Sequence, residues 1–270
     1  GDRYSSRCEA LSGRYGGVPS GRVTVGPHAP CTVSDASLAR CAALSERHDL
    51  PVHIHVNETA GEVETSLKDH GERPVARLAR LGLLNERLIS VHSVHTSNED
   101  IRMLAEARAS VCHCPSSNLK LASGFAPVAK MMKAGINLGI GTDGAASNDK
   151  LDMLGETRLA AMLAKAVAGA TTCAKVFDML EAATLGGARA LHWDDEIGSL
   201  EIGKCADMIA VDLSGIECGP VTDPAAQLLY SAGREHVTHV WVAGRLAAGE
   251  GTEPRDDTAR TLLEKWAPLI

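Results

Sequence analysis

A chain of 270 residues is long enough for one large domain, or for a large and a small one. Hydrophobic residues make up 44% and charged residues 23%, which is an ordinary core-forming composition; aromatics at only 3% favour helix-on-sheet packing over an aromatic-rich sandwich. The net charge of −7, from 34 acidic against 27 basic side chains, excludes the electrostatic footprint of a nucleic-acid or anionic-membrane binder. No apolar run approaches the roughly 20 residues that span a bilayer. The segment Gly1-Asp2-Arg3-Tyr4-Ser5-Ser6 lacks the apolar core of a signal peptide. The eight Cys, scattered from Cys8 to Cys218, read as reduced thiols, and a cytoplasmic setting is expected.

Residues up to about Ser20 are weakly patterned, and then a unit repeats. Arg22-Val23-Thr24-Val25-Gly26 reads as a strand. Ser34-Asp35 opens a helix with Leu38, Cys41, Ala42 and Leu44 on one face. Leu50 to Val56 is the next strand, followed by helical stretches at Glu62 to Asp69 and Pro74 to Leu81. Leu88 to Val91 is a strand, with Asn98 expected to cap a helix through Ala107. Ser110 to Cys114 is a strand, and Pro127 to Ala134 is a helix closed by Gly135. Ile136 to Ile140 is a strand, and Leu151 to Val167 a long helix. After Leu191, Ile197 to Leu200, Gly203 to Val211 and Val237 to Val242 read as short strands with Gly turns, and Asp256 to Trp266 as a surface helix.

Five strand-then-helix units in a row predict a parallel sheet covered by helices, which suits an open doubly wound sheet or a (β/α)8 barrel of the TIM type. Polar groups decide for the barrel. His28, His55 with Glu58, His92, Pro115-Ser116-Ser117-Asn118 and Asp143 each follow a successive strand, as at the mouth of a barrel. No GxGxxG follows the first strand, which counts against dinucleotide binding.

The densest signal is His53-Ile54-His55-Val56-Asn57-Glu58-Thr59. In a strand His53 and His55 share a face, and neutral imidazole suits a divalent transition metal. Together with His92 and Asp143, these groups could hold one metal, one activated water and one proton carrier. Cys112-His113-Cys114 looks like a metal motif, but no CxxC partner exists elsewhere, so it takes the structural reading.

His55-Val56-Asn57-Glu58-Thr59, Val91-His92-Ser93-Val94-His95, the segment Pro115 to Gly124 and Gly141-Thr142-Asp143-Gly144-Ala145-Ala146-Ser147-Asn148 together resemble the amidohydrolase superfamily, in its deaminase and chlorohydrolase branch. Pro27-His28-Ala29-Pro30 and Gly203-Lys204-Cys205-Ala206-Asp207 fit the same branch. The resemblance runs from about Arg22 to about Arg245 and implies a hydrolase acting on C–N bonds in cyclic amidines. The implied reaction is hydrolytic deamination of a purine-nucleoside-type substrate, 5-methylthioadenosine or S-adenosylhomocysteine, by metal-activated water. It implies zinc, with iron(II) as the alternative. His55 and Asp143 are then metal ligands; Glu58, His92 and Asp143 are catalytic; and His28, Glu58 and Asp143 contact substrate. His53 is expected to be packed or to support its neighbours, while His95, His113, His192, His236 and His239 are structural. A guanine-, pterin- or triazine-type aminohydrolase is the alternative, and a non-catalytic structural or interaction unit is the rival from another class.

The family's further pair of ligands, an H-x-H after the first barrel strand, has no counterpart before His28. The expectation is therefore the C-terminal portion of a longer enzyme: an incomplete barrel over 1–190, and over 191–270 part of a small β-sandwich with a terminal helix. Expressed alone, it is expected to bind zinc poorly. Two open sheet edges would drive self-association, and a homo-oligomer acting on a small molecule, without nucleic acid or membrane, is expected.

Overall fold

A computed structural model describes residues 21–249 and Ala10. Helix α1 (Asp35–His48) starts where Ser34 accepts from the Ser37 amide and buries Leu38, Cys41 and Leu44. Strand β1 (Val52–Val56) follows, then α2 (Ala60–His70) and α3 (Pro74–Arg80). Strand β2 (Leu88–His92) leads to α4 (Asn98–Glu106), whose cap is Ser97 and not Asn98, with Asp100 completing a capping box. Strand β3 (Ser110–His113) precedes α5 (Pro115–Lys120) and α6 (Val128–Lys133). Strand β4 (Asn137–Ile140) precedes α7 (Met153–Ala168), capped by Asp152. Helix α8 (Val176–Glu181), a π-helical turn (Ala182–Gly186) and α9 (Gly187–Ala190) run on as one element.

The four strands pair in parallel in the order β1-β2-β3-β4. Strand order that never reverses, with right-handed crossovers, puts every connecting helix on one face. That is a stretch of barrel wall; a doubly wound sheet needs a reversal. The side chains of β1 show the two faces. Val52, Ile54 and Val56 are buried towards the helices, while His53 and His55 lie on the other face. The core between sheet and helices joins Leu38, Leu44, Ile54, Leu78, Leu88, Leu104, Val111 and Met131.

Three expectations are corrected. The first of the five strands shrinks to a single parallel bridge between Val25 and Val52, because Pro27 has no amide hydrogen for the next ladder bond, and the chain meets β1 again only where the His28 carbonyl accepts from the His55 amide at 3.1 Å. Ile197 to Leu200 forms no strand and runs as bends. The β4 side of the sheet is packed, not open. Gly186 lies so near Leu138 that an added Cβ would sit 2.1 Å from the Leu138 carbonyl oxygen, and Asn137 Nδ2 donates to the Gly186 carbonyl at 2.9 Å. Only glycine permits that approach.

The second, antiparallel sheet orders β5 (Met208–Val211), β6 (Val237–Val242) and β7 (Arg245–Ala248), with α10 (Pro224–Tyr230) between β5 and β6. The expected helix at 256–266 lies outside the described residues. No helix among the described residues is long and apolar enough to cross a membrane.

One buried cation ties the loop before α1 to α3. Arg77, 2% exposed, donates from Nε and Nη2 to Asp35 Oδ1 at 2.8 and 2.6 Å, from Nη1 to the Pro30 carbonyl at 2.6 Å and from Nη2 to the Val33 carbonyl at 3.1 Å. Hydrogen bonds from Arg77 and then Arg80 hold the Asp35 carboxyl below its usual range. A depressed carboxylate stabilises the fold above its unfolded pKa, and that contribution is lost as pH falls through the folded value. The difference in urea midpoint between wild type and Asp35→Asn is therefore expected to be full above about pH 4 and to shrink in more acid solution. A difference independent of pH would contradict this.

Candidate active site

The functional side chains stand at the C-terminal rim of the parallel sheet, where the backbone leaves regular geometry. Asn57, His92, Ser93 and Asp143 all have positive φ, at 53°, 69°, 50° and 61°. Left-handed backbone is costly for residues other than glycine and collects at functional sites. At His92 it turns a side chain at the end of β2 away from its strand alternation.

His28, His55 and His92 form a line of rings. The His28 and His55 centroids are 5.1 Å apart, and those of His55 and His92 are 5.3 Å apart and stacked. His55 Nδ1 donates to the His28 carbonyl at 2.6 Å. That bond fixes the tautomer and leaves Nε2 as the ring's free donor atom, the arrangement that orients a metal-binding histidine. The His28 ring is exposed and its Nδ1 pairs with Thr32 Oγ1 at 2.8 Å. The loop carrying His28 is the one clamped by Arg77.

His92 is buried, and its Nδ1 donates to Asn118 Oδ1 at 2.8 Å. Its Nε2 faces Glu58 Oε2 at 3.7 Å, too long for a hydrogen bond. Glu58 sits just before the N-terminus of α2. A capping box fixes it there: Glu62 Oε2 accepts from the Glu58 amide at 2.7 Å, and Thr59 Oγ1 accepts from the Glu62 amide at 3.2 Å. Glu58 Oε1 accepts from Ser123 Oγ at 3.1 Å. One carboxylate oxygen is thus held and the other is left facing His92.

Asp143 follows β4. Its Oδ2 accepts from Ser117 Oγ at 2.6 Å and Ser147 Oγ at 2.8 Å, and its Oδ1 from the Gly144 amide at 2.7 Å. Burial raises its pKa, but the Ser117 and Ser147 hydroxyls and the Gly144 amide outweigh burial, so the net shift is downward and the group is ionised. Buried Glu156 braces the rim behind it, accepting from the Ser116 amide and from Asn148 Nδ2 at 3.0 and 2.6 Å.

All five sequence-predicted residues therefore lie along this rim, His55 and His92 at the ends of β1 and β2 and His28, Glu58 and Asp143 outside the strands. His53, expected to be packed or to support its neighbours, is exposed and near Cys112. His95 is structural, its Nε2 bonded to the Ser123 carbonyl at 2.7 Å. Ser117, Asn118, Ser123 and Ser147 sit in segments the sequence singled out, but their roles as holders of Asp143, His92 and Glu58 emerge only from packing. A cavity of about 1010 Å3 lies elsewhere, between α7–α8 and β5–β6, lined by Leu154, Phe177, Leu180, Ile209 and Val240.

His55 and Asp143 suit zinc by donor chemistry, a neutral imidazole with a free Nε2 and an ionised carboxylate. Among the described residues no group of three or more His, Cys, Asp or Glu side chains is arranged to hold a metal. The pair fits as part of a zinc site.

A helix-covered barrel wall thus carries histidines, a glutamate and an aspartate at or just after its strand ends. The chain belongs to the amidohydrolase family, which matches residues 9–247. It is 45% identical over 243 residues to a 5-methylthioadenosine/S-adenosylhomocysteine deaminase of Teredinibacter turnerae, covering 90% of this chain and 55% of that protein. It is also 45% identical over 255 residues to the protein of the same name from Moorella thermoacetica, covering 93% and 60%. Among solved structures it is similar to an adenosine deaminase from Xanthomonas campestris with bound zinc, at TM-score 0.96 and 46% identity over 99% of this chain and 61% of that one. A zinc-complexed atrazine chlorohydrolase from Arthrobacter aurescens gives TM-score 0.90 and 28% identity over 98% and 59%. The chain thus spans between half and two thirds of the length of these relatives.

Proposed function

We propose that this chain carries the proton-handling side of a zinc-dependent deaminase that releases ammonia from a purine nucleoside of the 5-methylthioadenosine or S-adenosylhomocysteine type. The observation that carries the reading is the His28–His55–His92 line, with His55 fixed so that Nε2 is its free donor and with Glu58 and ionised Asp143 beside it. Zinc, when bound, supplies a Lewis acid that makes a water acidic near neutral pH. His55 and Asp143 would be two of its donors. Asp143, ionised and held by three donors, is placed to accept a proton from the attacking water. Glu58, with one oxygen anchored by Ser123, carries a proton to a ring nitrogen and then to the leaving ammonia. His92, oriented by Asn118, holds the water or the departing group. His28, exposed on its clamped loop, contacts the substrate, with Glu58 and Asp143. Residues 1–190 as the barrel part and 191–270 as the small β part, a cytoplasmic setting and a homo-oligomer belong to the same reading.

A catalytic zinc takes three protein donors. The described residues offer two, and the chain on its own is expected to give up zinc on dialysis. The function is therefore tested in a chimera, with residues 21–249 exchanged into the matching segment of the Xanthomonas campestris enzyme. With zinc, the chimera is expected to release ammonia from 5-methylthioadenosine in preference to guanine or a triazine. A folded, zinc-loaded chimera that deaminates none of them would overturn the reading; preference for guanine or a triazine would move it to the other aminohydrolases.

A further inference from the structure

Cys112 and Cys114 lie below the rim and have no part in the chemistry above. Both are free thiols, Cys112 half-buried and Cys114 buried. Cys112 lies on the face of β3 that carries His55 across the sheet, and Cys114 follows directly after the strand. In register, His55, Val91, Cys112 and Gly139 stand side by side across the sheet, so Cys112 belongs to the same face as His55. The two sulfurs converge on Gly141. A Cβ built there would sit 2.8 Å from Cys112 Sγ and 3.1 Å from Cys114 Sγ, so both sulfurs crowd one point that only glycine leaves empty. Exposed His53 is near Cys112, which is only half-buried. Three features thus coincide: thiols one residue apart at the end of a strand, a glycine that lets them meet, and a Cys112 that is only half-buried.

We propose that Cys112 and Cys114 form a redox-active dithiol that closes to a disulfide across His113, with a low-molecular-weight disulfide of the glutathione type as oxidant. The Cys112 thiolate attacks one sulfur of oxidised glutathione, forming a mixed disulfide and expelling one glutathione thiolate, which takes up a proton. The Cys114 thiol then loses its proton and attacks the Cys112 sulfur, expelling the second glutathione. The two cysteines lose two electrons, and one glutathione disulfide becomes two thiols. The contact from Cys114 lowers the Cys112 thiol to about 5, and the His53 ring adds to this against the opposing effect of burial, which supports Cys112 as the attacking sulfur. A ring closed over one intervening residue is strained, and strained disulfides are readily reduced, so reduced glutathione reopens the bond. Cys114 is the residue from which α5 starts, and α5 carries Ser117 and Asn118, which hold Asp143 and His92. Closure therefore acts directly beneath the rim.

The test uses the wild-type chain incubated with excess oxidised glutathione, alkylated and digested with trypsin. Both cysteines fall in the single peptide 109–120, which contains no other cysteine. The expected result is that this peptide becomes about 2 Da lighter, resists alkylation, and regains two alkylation sites after treatment with reduced glutathione. Cys31 is exposed, but partial burial of its thiol and the neighbouring Glu62 push it up to about 11, so it is expected to react more slowly. A peptide that stays doubly alkylated, or that keeps glutathione on Cys112 with Cys114 still free, would overturn the proposal.

Discussion

Glu58→Gln in the chimera is expected to keep zinc and fold while losing roughly 10²- to 10⁴-fold in turnover of 5-methylthioadenosine. Glutamine keeps the shape and can still accept from Ser123 through its carbonyl oxygen, which now stands at 3.1 Å from that hydroxyl as a carboxylate oxygen. It cannot carry a proton. The loss should therefore fall on kcat rather than on KM. Steady-state kinetics with zinc content measured on the same sample checks this, and an unchanged rate would remove Glu58 from the mechanism. Ser123→Ala is the milder relative, freeing the carboxylate oxygen without removing it.

The second large effect is on stability. Arg77→Met removes a buried guanidinium that serves Asp35 and the carbonyls of Pro30 and Val33. Methionine fills much of the volume but takes the Arg77 donor from the Pro30 and Val33 carbonyls and leaves Asp35 with Arg80 alone. Removing one partner from a buried, hydrogen-bonded ion pair costs about 3–5 kcal/mol. Half-exposed Asp35 can recover some solvation, so the lower end of that range is expected. Lysine should not rescue it, since a single ammonium cannot reproduce the fork that reaches three acceptors. Urea unfolding measures the change, and a loss below about 1 kcal/mol would show that the clamp carries no weight. The loop released by this change is the one whose His28 carbonyl fixes His55.

The barrel wall was legible because its strands are short apolar runs set between helices with clear caps. Ser34, Leu38, Cys41 and Leu44 announce α1 by spacing alone, and Ile54 and Val56 alternate with His53 and His55. The weaker elements were not legible. Val23 to Gly26 has strand composition, yet only Val25 bridges, since Pro27 has no amide to donate to the next rung. Strand β7, Arg245–Ala248, has no buried face to advertise it; all four residues are exposed. At the site, residue types at strand ends marked His28, His55, Glu58, His92 and Asp143. Their partners could not be ranked that way. A serine such as Ser123 has no distinctive spacing, and its role comes from a carboxylate brought to it from another loop, 65 residues away. His53 and His55 look equivalent in sequence; what separates them is the His28 carbonyl, which reaches Nδ1 of His55.

The most direct measurement is the position of zinc in crystals of the chimera, located by anomalous scattering at the zinc edge. The expected result is a single strong peak bonded to His55 Nε2 and to the Asp143 carboxylate, with Glu58 and His92 beside it and outside the coordination sphere. A peak on Cys112 and Cys114, or one that touches neither His55 nor Asp143, would contradict the assignment of this rim as a metal-dependent deaminase site.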